Sequence, residues 1–160
     1  MRRRPPSGTP PTESARTAAI RLLSRRDYTV AELVRKLTDR GHARDDIDAA
    51  LAHLQANGSV DDRRVGAAHV RAASAGKGRG IHRITRELEA RGIGRELARE
   101  LLADLSQDDE LESVRRVLAR LRVQLPLPAE ERRRVFARLL RRGFGADAIR
   151  RALKAGDDDE

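Results

Sequence analysis

Apolar side chains recur along this chain at steps of three and four residues, and no stretch alternates apolar with polar in a β-branched context. That period places side chains on one face of an α-helix, so the pattern predicts helices throughout and no sheet. A first helix is expected from about Glu13 to Arg25, with Ala15, Ala18, Ala19, Leu22 and Leu23 facing inward. The second has the clearest start. Thr29 and Glu32 have the spacing of a capping box, and Tyr28 stands where an apolar residue can staple onto Leu33. Val30, Leu33, Val34 and Leu37 form the apolar face of this helix, which stops at Gly41. Asp45 and Asp46 fall in the first turn of a third helix, where negative charge is favourable. Ile47, Leu51 and Leu54 line its buried side, and Asn57-Gly58 ends it.

A fourth helix opens at Asp61-Asp62 and runs through Val65, Ala68 and Val70. It gives way to Gly76-Lys77-Gly78-Arg79-Gly80, expected to be a mobile basic connector. Ile81, Ile84 and Leu88 mark a fifth helix that stops at Gly92, and Leu97, Leu101, Leu102 and Leu105 a sixth. From about Asp109, Leu111, Val114, Leu118 and Leu121 form a seventh, which Pro126 and Pro128 break. Val135, Phe136, Leu139 and Leu140 belong to an eighth helix ending at Gly143, and Ile149 and Leu153 to a ninth.

One element recurs. Leu37, Leu88 and Leu139 are each followed by an Arg-Gly pair, and Gly41, Gly92 and Gly143 are spaced by 51 residues each time. Gly suits the left-handed position after a last helical turn, and Arg before it complements the negative helix end. A helix that recurs with its stop signal argues for tandem copies of one unit. The chain therefore reads as all-α, with about nine helices in three tandem three-helix modules that stack into a curved, helix-turn-helix-like array. The expected divisions are a basic tail over 1–12, modules over 13–58, 59–106 and 107–156, and an acidic tail over 157–160. The interval from Gly92 to Leu97 is one residue shorter than that from Gly41 to Ile47, so the second module is expected to be tighter than the first.

Charge adds a partner class. Lys and Arg number 34 against 25 Asp and Glu, a net +9, which favours a polyanion or an acidic protein surface. A plainer source of the excess is genome composition, because nearly all the basic residues are Arg. The absence of Cys excludes disulfides and thiolate metal sites. No apolar run approaches the ~18 residues of a membrane span. The start, Met1-Arg2-Arg3-Arg4-Pro5-Pro6, lacks the apolar stretch of a secretory signal. A cytoplasmic protein without a membrane partner is expected. Tyr28, Phe136 and Phe144 are the only aromatics, little material for stacking bases.

Catalytic candidates do not accumulate. Gly76-Lys77 is not a phosphate loop, because Arg71 and Gly78 stand where a Walker sequence needs Gly and Ser or Thr. His42, His53, His69 and His82 have no partner at i+3 or i+4, so local spacing writes no metal site. His42 and His53 read as surface or helix-packing residues. Asp61-Asp62, followed by Arg63 and Arg64, reads as a helix cap in preference to an acid–base pair. No nucleophile–base pair is visible. The chain is expected to be no enzyme and to need no metal or cofactor. What remains is basic: Arg134, Arg138 and Arg141, then Arg79, Arg83 and Arg86, each at i, i+4, i+7, with Arg116 and Arg120 at i, i+4. Arg64, Arg71, Lys77 and Arg142 complete a candidate basic surface, which three stacked modules would align and which Glu87, Glu89 and Glu131 dilute.

The capped helix from Tyr28 to Leu37 resembles the S-x-x-E-L-x-x-K-L signature of the RecX regulators of bacterial recombination. Gly41 and Val60-Asp61-Asp62 are similar to that family's next landmarks. Lys77-Gly78, Ile84, Glu87-Leu88 and Arg91-Gly92-Ile93 look like its middle segment, and Arg141-Arg142-Gly143-Phe144 with Ile149 and Leu153 its closing module. Val65 and His69 stand where the family commonly has aromatics. The resemblance spans about Ala15 to Leu153. It implies nine helices in three modules, no catalytic activity, and binding to the RecA recombinase in the helical groove of the RecA–DNA filament; with no obvious dimerising helix in the sequence, a monomer is expected. There the family restrains strand exchange, ATP hydrolysis and repressor co-cleavage, with weak DNA binding besides. The basic residues named above are then the expected RecA- and DNA-binding surface. The alternative is a stand-alone helix-turn-helix-like DNA-binding protein.

Overall fold

The computed structural model describes residues 12–76, 78–103 and 107–154; Lys77, Leu105 and most of both tails lie outside the described residues. Among them are nine α-helices and no strand, so the protein is all-α. The helices are α1 (Ala15–Leu23), α2 (Val30–Thr38), α3 (Arg44–Ala56), α4 (Asp62–Arg71), α5 (Ile81–Ala90), α6 (Arg95–Ala103), α7 (Gln107–Arg120), α8 (Ala129–Arg141) and α9 (Ala146–Lys154). A π-helical turn over Ala72–Gly76 continues α4.

Local signals place the helix ends. The Ser14 hydroxyl caps α1 by accepting from the Thr17 N–H at 3.1 Å. At α2 the capping box is complete: the Glu32 N–H donates to Thr29 Oγ1 at 3.1 Å, and the Thr29 N–H donates to Glu32 Oε2 at 3.0 Å. Tyr28 is buried in the same cluster as Leu33, and the Arg26 guanidinium lies 3.9 Å from the centre of its ring. Gly41, Gly92 and Gly143 take nearly the same backbone angle, φ of +86°, +84° and +85°, the left-handed stop that the spacing implied.

The chain falls into two compact units. The first takes the residues up to Val65 together with Arg91–Ile93. Here α1, α2 and α3 pack pairwise around Leu22, Leu33, Leu37, Ile47, Leu51, Leu54 and Val60. The buried side of α1 is mostly alanine, Ala15, Ala18 and Ala19, against which α3 packs. Each buried Leu or Ile of this core contributes about 1.5–3 kcal/mol relative to exposure. The second unit takes Gly66–Ala90 and the residues from Gly94 onward. There α5 packs on α6 and on the π-helical turn. In the same unit α7 and α8 pack on α9, around Leu111, Val114, Leu118, Leu139, Phe144, Ile149 and Leu153. Residues 59–106, expected as one module, are apportioned between the two units.

Three expectations change. Helices α3, α6 and α9 start at Arg44, Arg95 and Ala146, again 51 residues apart, so the second repeat is not tighter. Ala98, 1% exposed, takes the place of Ile47 and Ile149, while Leu97 is only half-buried. Side-chain size had pointed to the wrong residue. The run after Gly76 is not a mobile connector where it is described. Gly78 and Gly80 are buried, the Arg79 N–H donates to the Ala73 carbonyl at 3.2 Å, and the Gly80 N–H donates to the Arg142 carbonyl at 3.0 Å. Leu140 stays 43% exposed although it follows buried Leu139, because consecutive residues of a helix point about 100° apart.

Candidate functional site

Two of the three Arg-Gly stops dock onto the start of another helix. In the first unit the Arg91 carbonyl accepts from Thr29 Oγ1 at 2.7 Å. The Arg91 guanidinium donates through Nε and Nη2 to the two oxygens of Glu32, each at 3.0 Å. A Cβ on Gly92 would sit 2.2 Å from the Ala31 Cβ. Burial alone would push the Glu32 carboxyl up. Hydrogen bonds from Arg91 and the Thr29 N–H, with the charges of Arg91 and Arg26, outweigh it and hold Glu32 below the ordinary carboxylate value. The acidic pair at α4 also caps: Asp61 Oδ1 accepts from the Arg64 N–H at 3.0 Å, and Asp62 Oδ1 from the Val30 N–H of α2 at 2.8 Å. The reading of this pair as caps holds, with one of the two serving another helix.

The second unit repeats the joint on α5. The Gly80 N–H donates to the Arg142 carbonyl at 3.0 Å and the His82 N–H to the Gly143 carbonyl at 3.1 Å. A Cβ on Gly143 would meet the Arg83 Cβ at 2.5 Å, and one on Gly80 would meet the Gly143 oxygen at 2.2 Å. Positions 29, 32 and 91 correspond by the 51-residue step to 80, 83 and 142. The Glu32–Arg91 pair is thereby replaced by two cations, Arg83 and Arg142, and Arg83 turns elsewhere. Its Nε donates to Glu87 Oε1 at 3.0 Å. Arg79 Nη1 at 2.5 Å and His69 Nε2 at 3.0 Å both reach Glu87 Oε2. Burial would raise the Glu87 carboxyl, but hydrogen bonds from Arg83, Arg79 and His69 and the charge of Arg79 hold it below the ordinary value. Glu87 is thus a hub and not merely a diluting charge, a role that its surroundings alone reveal.

The candidate basic residues divide accordingly. Arg79 and Arg83 are half-buried against Glu87, so this stripe is not the exposed face that spacing suggested. Arg86 is exposed and donates to the His82 carbonyl at 3.2 Å. Arg120 donates to the Gly76 and Ala75 carbonyls at 2.9 and 3.3 Å, capping the π-helical turn. Arg116 donates to Ser113 Oγ at 2.8 Å. Arg64 donates to the Gly58 and Ser59 carbonyls and lies 3.4 Å from an Asp27 oxygen. Arg71 is exposed, Arg142 half-buried, and Lys77 lies outside the described residues. The stripe that remains open is on α8. Arg134, Arg138 and Arg141 are all exposed, and only Arg134 pairs with a carboxylate, Glu130 at 2.5 Å. Among the described residues no three His, Asp or Glu side chains gather into a group that could hold a metal ion. No described helix is long and apolar enough to cross a membrane.

A family profile for the first three-helix domain of RecX matches residues 15–54, and one for the third three-helix domain of RecX matches 108–153. The regulatory protein RecX of Chromobacterium violaceum is 38% identical over 148 residues, covering 92% of this chain and 94% of its relative. The chain belongs to the RecX family. The RecX of Halorhodospira halophila is also 38% identical, over 93% of this chain and 92% of its own length. The crystal structure of RecX from Lactobacillus salivarius superposes with a TM-score of 0.81, at 21% identity, over 89% of this chain and 94% of that one, and so shares the fold. Within this RecX chain the two profiles fall on α1–α3 and on α7–α9, the helices that close the two large apolar clusters. Its relatives carry the name of regulatory proteins, which describes a regulator and not a catalyst.

Proposed function

We propose that this RecX chain is a non-catalytic, monomeric, cytoplasmic regulator that binds the RecA recombinase on the RecA–DNA filament. It restrains strand exchange, ATP hydrolysis and repressor co-cleavage in DNA repair and the SOS response. Membership of the RecX family carries this reading, and the exposure of Arg134, Arg138 and Arg141 on α8 supports a contact at that stripe. Arg64, Arg71, Lys77, Arg79, Arg83, Arg86, Arg116, Arg120 and Arg142 are the further basic residues of this reading, Arg79 and Arg83 being half-buried against Glu87. The three modules, 13–58, 59–106 and 107–156, carry that surface in tandem, and direct DNA contacts are weak. An array of this kind distributes its contacts, so no single stripe is indispensable.

The test is inhibition of DNA-dependent ATP hydrolysis by RecA, with sedimentation on RecA filaments and on naked DNA at one salt concentration. Parent protein should inhibit and should favour the filament over DNA. Arg134→Ala/Arg138→Ala/Arg141→Ala should weaken inhibition without abolishing it, since exposed charge contacts contribute about 0.2–1 kcal/mol each. Failure of the parent to bind filaments sinks the proposal. Inhibition by the triple variant equal to that of the parent would move the contact away from α8.

A further inference from the structure

Helix α8 has a second basic face, turned away from the Arg134–Arg141 stripe. There a groove of about 300 Å³ runs between α8 and α9, lined by Phe136 and Leu153 and by Arg132, Arg133, Arg150 and Lys154. Among the described residues no carboxylate lines it. Among the described residues Arg133, Arg150 and Lys154 form no ion pair, and Arg132 donates only to the Leu127 carbonyl, at 3.2 Å. Exposed Leu140 follows Phe136 by one turn on the same face of α8 and lengthens the apolar line. None of these four cations figured among the basic positions singled out by spacing.

We propose that this groove is a docking site for an acidic protein segment that seats an apolar side chain on the Phe136–Leu153 floor. Carboxylates on either side of that anchor would meet the four cations. The two halves of the lining make complementary demands. The floor gains by covering hydrocarbon, and the unneutralised guanidinium groups gain from planar carboxylates that can accept two hydrogen bonds at once. A nucleic acid strand satisfies the rim through its phosphates but not the floor, where one half-buried aromatic ring offers no run of stacking surfaces. The site uses the face of α8 that the RecA-binding stripe leaves free, so it stands or falls separately from the stripe.

The full chain would be titrated by fluorescence anisotropy against three labelled probes at moderate salt. These are a Glu-rich peptide of about 15 residues with Leu four residues apart; the same peptide with both Leu replaced by Ala; and an oligothymidylate of matching length. The Leu peptide should bind, and the Ala peptide should bind about tenfold more weakly, because the floor is then left wet. Arg133→Glu/Arg150→Glu should weaken the Leu peptide by about tenfold or more, whereas Arg134→Glu/Arg138→Glu should leave it within about twofold. All four positions are exposed, and unchanged circular dichroism and melting confirm the fold of each variant. Equal binding of the two peptides, parent-like binding by the Arg133/Arg150 variant, or no binding of the Leu peptide to the parent overturns the proposal. Tighter binding of oligothymidylate, lost in that same variant, also overturns it and makes the groove a nucleic-acid surface.

Discussion

Gly92 has two independent reasons to be glycine, and Gly41 has one. Both hold a positive φ, but a Cβ on Gly41 would meet nothing within 4 Å, whereas one on Gly92 would collide with Ala31. Gly41→Ala should therefore cost about 1 kcal/mol of left-handed strain. Gly92→Ala should cost about 1–3 kcal/mol more, for overpacking at the joint. Gly94→Ala meets free space and an ordinary φ but puts a poorer N-cap ahead of α6, so it should cost only about 0.5 kcal/mol. Urea unfolding midpoints check the order, and equal losses at Gly41 and Gly92 would mean that the joint contributes no stability. His42 presents the opposite case. By the 51-residue step it occupies the place of buried Ile93 and Phe144, yet it is polar, 7% exposed, and its Nε2 has no partner among the described residues. His42→Ile should raise stability by about 1 kcal/mol, by removing a buried polar group from an apolar position. Loss of stability instead would show that the ring is satisfied in solution.

At the scale of elements, an Arg-Gly stop is both the end of one helix and the completion of another helix's start. Glu32 and Arg91 form a half-buried, two-pronged pair, so their coupling should exceed that of surface pairs. A double-mutant cycle of Glu32→Gln and Arg91→Met should return about 1–3 kcal/mol. A coupling near zero would reduce the joint to backbone contacts. Glu87 ties His69 of α4, Arg79 ahead of α5 and Arg83 within α5 to one carboxylate. Its folded value lies below the ordinary 4.5, so the unfolded chain binds more protons between that value and the folded one. The stability contributed by this hub is complete above the ordinary value and drains as pH falls through that window; Glu32 acts in the same direction. Glu87→Gln should therefore be less stable than the parent at neutral pH and lose less on acidification. Parallel acid profiles would exclude the hub as a source of stability.

At the scale of the molecule, the two Arg stripes should behave differently although their spacing is the same. Arg79→Ala/Arg83→Ala/Arg86→Ala removes two partners of Glu87 and should lower the melting temperature, while the α8 triple variant should melt like the parent. Added salt should narrow the difference in RecA inhibition between the α8 variant and the parent, through screening and counterion release. Equal melting of both variants would mean that the Glu87 cluster is a surface feature. The contrast marks where sequence reasoning ends. Helix positions, the capping box at Thr29 and the left-handed stops at Gly41, Gly92 and Gly143 were legible because they depend on residues within one or two turns of each other. The all-α class followed from the same local periodicity. Ala98 in place of Leu97 was not legible, because the packed environment, and not side-chain size, decides which face is buried. Nor were the Glu32–Arg91 pair, 59 residues apart, the Glu87 cluster or the cation-rimmed groove between α8 and α9. Each brings together groups from separate helices, so the charge that remains open to a partner was decided only when the chain packed.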